Sequence, residues 1–197
     1  MPPSTKEPRA SIIGPASGPE APFPLRMRGA VEKGFGRGSK ELGIPTANLP
    51  VTSAAWIATA ESGVYFGWAS LQLSSSHPSH PANDKEADKD AAEFVPEEKQ
   101  KEGWRVFPMV MSIGYNPFYG NTVRSAEVHI MHPFPADFYG TQMALSILGY
   151  IRPEYDYVDK ESLVKDIRED MAVAERSLDR EEWRKRRADG WLWGEEE

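Results

Sequence analysis

The feature that most constrains this chain is a train of short apolar and aromatic segments, each cut off by turn residues, with no long helical repeat before residue 160. Residues 64–69 read Val-Tyr-Phe-Gly-Trp-Ala, and 106–114 read Val-Phe-Pro-Met-Val-Met-Ser-Ile-Gly. Residues 126–132 and 142–150 continue the series, separated by Gly114-Tyr115-Asn116-Pro117 and Phe138-Tyr139-Gly140. Short strand-like runs at this spacing, without intervening helices, predict a small antiparallel barrel or sandwich. The run 142–150 also has the propensity of a helix, so periodicity alone leaves it ambiguous. A helix is predicted from 160 to 178, capped by Asp159, with Leu163, Ile167, Met171, Ala174 and Leu178 forming one apolar stripe.

Two stretches fall outside this pattern. Residues 1–24 hold seven of the 17 prolines and predict an extended or disordered arm. Residues 74–102 hold eight acidic and four basic residues, a composition too poor in apolar surface to offset its ordering entropy. They are expected as a tolerated low-complexity insertion between two strands of one hairpin. The folded unit is then 25–178, followed by a charged, Trp-containing tail, 179–197. In that tail Arg184-Lys185-Arg186-Arg187 reads as a solvated helix face, with a phosphate or nucleic-acid contact as the less favoured alternative, and Trp191 and Trp193 are expected to dock on the barrel wall. Cysteine is absent, which excludes disulfides, thiolate metal sites and a cysteine nucleophile. A net charge of −7 argues against a general nucleic-acid binder. No apolar run reaches the ~20 residues of a membrane span, and the start lacks a signal-peptide pattern. A cytoplasmic monomer is expected, with a mitochondrial pool compatible, and neither nucleic acid nor membrane as a partner.

Three segments carry candidate chemistry. In GFGRGSKELGIPTANLP (34–50), Gly34, Gly36 and Gly38 allow backbone amides to approach a ligand, and successive amides form a concave anion site. Arg37 and Lys40 add positive charge beside Ser39. The spacing is not that of the Walker A phosphate loop, and a plain glycine-rich turn fits the glycines as well. Thr46 and Asn48 lie two apart in an extended segment, so their oxygens point one way. Both are hard ligands of the kind Mg²⁺ takes beside substrate phosphates, and both are equally able to bond the local backbone. On a strand, Glu127 and His129 share one face, opposite Val128 and Ile130. Glu127 there is either a proton acceptor or an ordinary edge glutamate, with His129 its hydrogen-bonding neighbour. His132, three residues on from His129, faces the other way, which disfavours a two-histidine metal site.

Taken together, GFGRGSKELGIPTANLP, SIGYNPFYGN (112–121), AEVHIMHPF (126–134), DFYG (137–140) and LGYIRPE (148–154) strongly resemble the riboflavin kinases (flavokinases) of eukaryotes, fungal members in particular. The resemblance runs from about residue 28 to 178, apart from the insertion. It implies a six-stranded antiparallel β-barrel of Greek-key type with a C-terminal helix. It implies transfer of the γ-phosphoryl group of ATP to the 5′-hydroxyl of riboflavin, giving FMN and ADP, with Mg²⁺, or Zn²⁺ in its place, as the metal.

The same resemblance assigns residues. Gly34, Gly36, Arg37, Gly38, Ser39 and Lys40 would arch over ATP, with Phe118 bordering the nucleotide. Thr46 and Asn48 would bind metal and phosphate. Glu127 would be the base for the 5′-hydroxyl, and His129 and Arg152 would lie on the flavin side. No second nucleotide-binding module is visible, so fusion to an FAD-forming adenylyltransferase is not expected. A non-catalytic flavin or nucleotide carrier on the same barrel is the competing reading.

Overall fold

Apolar side chains on both faces of one sheet organise the chain. A computed structural model describes residues 9–33, 43–84, 93–115 and 124–195. The strands are β1 (Leu25–Ala30), β2 (Ala47–Asn48), β3 (Gly63–Gln72), β4 (Trp104–Tyr115), β5 (Arg124–Ile130) and β6 (Gln142–Pro153). They pair antiparallel in the order β1-β6-β3-β4-β5-β2. Strands β3, β4 and β5 follow one another, and β6 returns to lie beside β3, which is a Greek key. Just past β1, the Glu32 N–H donates to the Asn48 carbonyl at 2.9 Å, so the two sheet edges meet and the sheet curls into a barrel.

Period-two alternation sorts the side chains. Tyr65, Leu71, Met109, Met111, Ile113, Val128, Met143, Leu145 and Ile147 fill the interior. Phe66, Trp68, Val106, Val110 and Leu148 point outward, where a helix and the tail cover them. Burial on both faces explains why β3, β4 and β6 read as nearly continuous apolar runs. It also settles 142–150, which is a strand because it pairs with both β1 and β3. Only β5 alternates cleanly, with Ala126, Val128 and Ile130 buried and Glu127 and His129 outside.

Among the described residues, the α-helices beside the sheet are α1 (Glu97–Lys101), α2 (Lys160–Leu178) and α3 (Glu181–Arg184). Asp159 caps α2 by accepting from the Ser162 N–H at 2.7 Å. The buried stripe of α2 is rotated from the expected one. Asp170, Val173, Ala174, Ser177 and Leu178 are buried, while Leu163, Ile167 and Met171 are half-buried. Asp170 is buried because Arg152 of β6 grips it, with contacts of 2.7–3.1 Å.

Over its described part the arm packs against α2 and the tail. Proline removes donors but leaves carbonyls, and donors from α2 and the tail bond several of the arm's carbonyls. Arg176 Nε reaches Ser11 O at 2.8 Å, Arg180 Nη1 reaches Gly14 O at 2.8 Å, and Trp183 Nε1 reaches Pro15 O at 2.9 Å. The Ile13 N–H in turn donates to Ser177 Oγ at 2.9 Å. Within the insertion, residues 74–84 fold as turns around buried histidines. His77 Nδ1 accepts from the Ser79 N–H at 3.0 Å, and His80 Nδ1 from the Ala82 N–H at 3.1 Å. Arg105 of β4, itself buried, donates to Ser79 O and to Asp84 Oδ2, both at 2.8 Å.

In the tail, Arg184, Lys185 and Arg186 are exposed, as a solvated face requires. Arg187 is instead buried, its guanidinium 4.1 Å from the Trp68 ring centroid. Trp191 lies on the barrel wall, donating to Leu145 O at 3.1 Å and carrying the Arg28 guanidinium 3.9 Å from its ring. No helix among the described residues is long and apolar enough to cross a membrane.

Candidate active site

The site forms where the shortest strand, β2, meets the polar outer face of β5. Strand β2 pairs with β5 through Ala47–Val128 and Asn48–Glu127. Ala47 and Val128 belong to the barrel core, so Asn48 and Glu127 share the outer face. Directly opposed residues on antiparallel strands have Cβ atoms about 5 Å apart. On its other side Glu127 is opposite Ser112 of β4, which extends the polar row. The shared face of Glu127 and His129 follows from strand periodicity, but their opposition to β2 is a matter of register.

His129 is half-buried, and its Nδ1 lies 2.8 Å from the Pro45 carbonyl. A carbonyl only accepts, so Nδ1 carries the hydrogen. Burial pulls the imidazole pKa down, partly offset by the Pro45 bond, and favours the neutral ring.

Arg152 is placed away from Asn48, Glu127 and His129. It is 5% exposed, and its guanidinium is committed to Asp170, to the Pro153 carbonyl at 3.0 Å and to the Tyr155 ring at 4.9 Å. Burial opposes its charge, yet Asp170 more than offsets this and raises its pKa. Arg9 approaches the same carboxylate, Nε to Oδ1 at 3.2 Å. Arg152 therefore ties β6 to α2 and to the arm, and does not join the Asn48–Glu127 pair.

Two charged residues near Glu127, Glu154 at the end of LGYIRPE and Arg124, were given no role by the sequence. Glu154 lies against Gly114, and desolvation raises its pKa; Arg124 and Arg152 lower it, and the charge of Glu127 raises it further. Arg124, at the start of β5, donates to Ile57 O at 3.1 Å, to Ser62 Oγ at 2.7 Å and to Ala60 O. It thereby fastens the 57–62 segment beside the site. Gly34, Gly36, Arg37, Gly38, Ser39, Lys40 and Phe118 lie outside the described residues.

A riboflavin kinase (flavokinase) family model matches residues 21–178, which spans every strand and α2. The chain belongs to the riboflavin kinase family. The riboflavin kinase of Pyricularia oryzae is 59% identical over 177 residues, covering 89% of this chain and 81% of that protein. That of Neurospora crassa is 50% identical over 220 residues, covering 96% and 92%. A crystal structure of riboflavin kinase from Trypanosoma brucei superposes with a TM-score of 0.61 over 90% of this chain and 94% of that one, at 21% identity. At that identity the likeness speaks for the barrel alone. The family thus contains the whole β2–β5 pair, and the motif residues Thr46, Asn48, Glu127 and His129 all fall within the matched span.

Proposed function

We propose that the protein transfers the γ-phosphoryl group of ATP to the ribityl 5′-hydroxyl of riboflavin, releasing FMN and ADP. The observation that carries this reading is the registered pair Asn48–Glu127 on the outer face of the barrel. It sets a phosphate-side amide against a carboxylate inside a riboflavin kinase domain.

Phosphoryl transfer of this kind is mainly positioning and charge neutralisation. Glu127 orients the 5′-hydroxyl and takes its proton as the hydroxyl oxygen bonds to the γ-phosphorus and the bond to the β-phosphate oxygen breaks. Thr46 and Asn48 would hold a nucleotide-bound Mg²⁺ with two neutral oxygens. The donor set suits that ion, since a hydroxyl and an amide oxygen are hard ligands. Mg²⁺ takes few protein ligands and completes its shell with phosphates and water, whereas Zn²⁺ favours His and Cys sets. When bound, the ion neutralises phosphate charge. Gly34, Gly36, Arg37, Gly38, Ser39, Lys40 and Phe118 are assigned to ATP by family resemblance. Arg152 supports the flavin side from within its bridge to Asp170. We also infer a monomer, because among the described residues the exposed large apolar side chains Ile12, Tyr115, Tyr139 and Val158 belong to four separate segments.

The test is incubation with riboflavin, ATP and Mg²⁺, with FMN resolved by chromatography. Glu127→Gln is expected to lose about 100-fold or more in turnover while still binding ADP. Near-full activity in that variant would remove Glu127 from the chemistry. Tight flavin binding by folded protein that forms no FMN would favour the carrier reading.

A further inference from the structure

We propose that His129 is a positioning residue: its Nδ1–H fixes the Pro45 carbonyl and so holds β2 in the register that sets Asn48 opposite Glu127. The inference deepens the kinase reading and rests on it for the roles of Asn48 and Glu127.

Strand β2 is two residues long, and its ladder to β5 has only the pairs Ala47–Val128 and Asn48–Glu127. On its other edge it gains the bridge from Glu32. So short a ladder specifies register weakly, and a slip of one residue would turn Asn48 into the barrel and Ala47 outward. Proline at 45 cannot donate, so the ladder cannot be lengthened through that residue's nitrogen. Its carbonyl is still available, and His129 supplies the donor at 2.8 Å from the neighbouring strand. The Pro45 carbonyl and the Thr46 N–H share one peptide plane, so the bond orients the backbone that enters Thr46. The interior provides the other half of the clamp, since Ile44, Ala47 and Leu49 are all buried. Thr46 and Asn48 are thus held between an apolar anchor inside and an imidazole outside.

This differs from a ligand contact by His129, which would have to use Nε2. The two nitrogens can be separated by substitution. In His129→Asn the amide nitrogen occupies the place of Nδ1, and in His129→Gln it occupies the place of Nε2. Binding of ADP with Mg²⁺, followed by calorimetry, is the first readout because it does not need turnover. His129→Asn should bind within about twofold of wild type, and His129→Gln should bind about tenfold more weakly, the loss of one hydrogen bond. The KM for riboflavin should stay unchanged in both. Retention by Gln with loss in Asn, or a change confined to riboflavin, would overturn the proposal in favour of direct contact through Nε2. Equal binding by wild type, Asn and Gln would overturn it too. Should the variants fail to fold, ¹⁵N NMR of the wild-type imidazole still decides, because a ring protonated at Nε2 alone cannot make the bond. Wild-type protein that binds ADP but forms no FMN would defeat the kinase reading and leave this proposal to the calorimetry.

Discussion

Gly67 occupies the point where β3 slips register against β6, and a Cβ there would overlap the Ser146 carbonyl oxygen and crowd the Ile147 Cα. Both obstacles are backbone in a central strand pair and cannot swing aside. Gly67→Ala should therefore destabilise the fold by about 2 kcal/mol or more, read from urea unfolding. Glu154 gives the opposite kind of prediction. Its carboxyl pKa is raised in the folded state, first by desolvation and also by Glu127, so the folded protein binds a proton more tightly than the unfolded chain. Stability then falls as pH rises from the ordinary carboxylate range through the raised folded value. Glu154→Gln should flatten that decline and leave the variant relatively more stable at neutral pH than at pH 4. A decline as steep as wild type would show that Glu154 does not cause it. The positions that matter most near the reaction divide in the same way between visible and hidden. Glu127 and His129 share a face by simple alternation, so their pairing was legible in the chain. That Asn48 stands opposite Glu127, and that His129 reaches Pro45, depends on a register that no local pattern encodes.

Helix α2 and strand β6 are locked by one buried ion pair. Arg152 and Asp170 have side chains 6% and 2% exposed, at 2.7 Å. Asp170→Ala would strand the Arg152 guanidinium in the interior and also remove a partner of Arg9. A loss of about 3–5 kcal/mol is expected, measured by chemical unfolding. A change below 1 kcal/mol would mean that water reaches Arg152. The same pair explains one limit of reading elements from sequence. Asp159 and the spacing of three and four identify α2 and its start. The polar Asp170 and Ser177, however, lie on its buried face, where hydropathy alone would not put them. Strand β6 was ambiguous because burial on both faces erases the period-two signal. Strand β1 escaped notice for another reason: its outward Arg26 and Arg28 look solvated, but Asp189 and Trp191 cover them. Strand β2, at two residues, is below the length that any pattern can mark.

Both ends of the described chain pack on the same outer face of the barrel. Gly14 is pressed on the Trp183 ring so closely that a Cβ would overlap it, and Trp183 stacks on Phe66 at 5.7 Å. The arm is therefore a cover for the outward apolar cluster around Phe66 and Trp183, not an appendage. Removing residues 1–18 should leave the donors of Arg176, Arg180 and Trp183 facing water and lower stability by about 2 kcal/mol, or roughly 4–8 °C in Tm by calorimetry. An unchanged Tm would return the arm to the status its proline content first suggested. The long reach of these contacts has a further consequence, for synthesis. Arg26 of β1 bonds to Asp189, 163 residues later, and β1 finds its strand partner only when β6 has been made. At ~10 residues per second the ribosome needs roughly 10 s to deliver β6 after β1. During that interval the nascent chain carries an unmatched first strand with Leu25 and Met27 open to other chains. Slowing or crowding translation should thus raise aggregation of this protein even when the finished fold is unaltered.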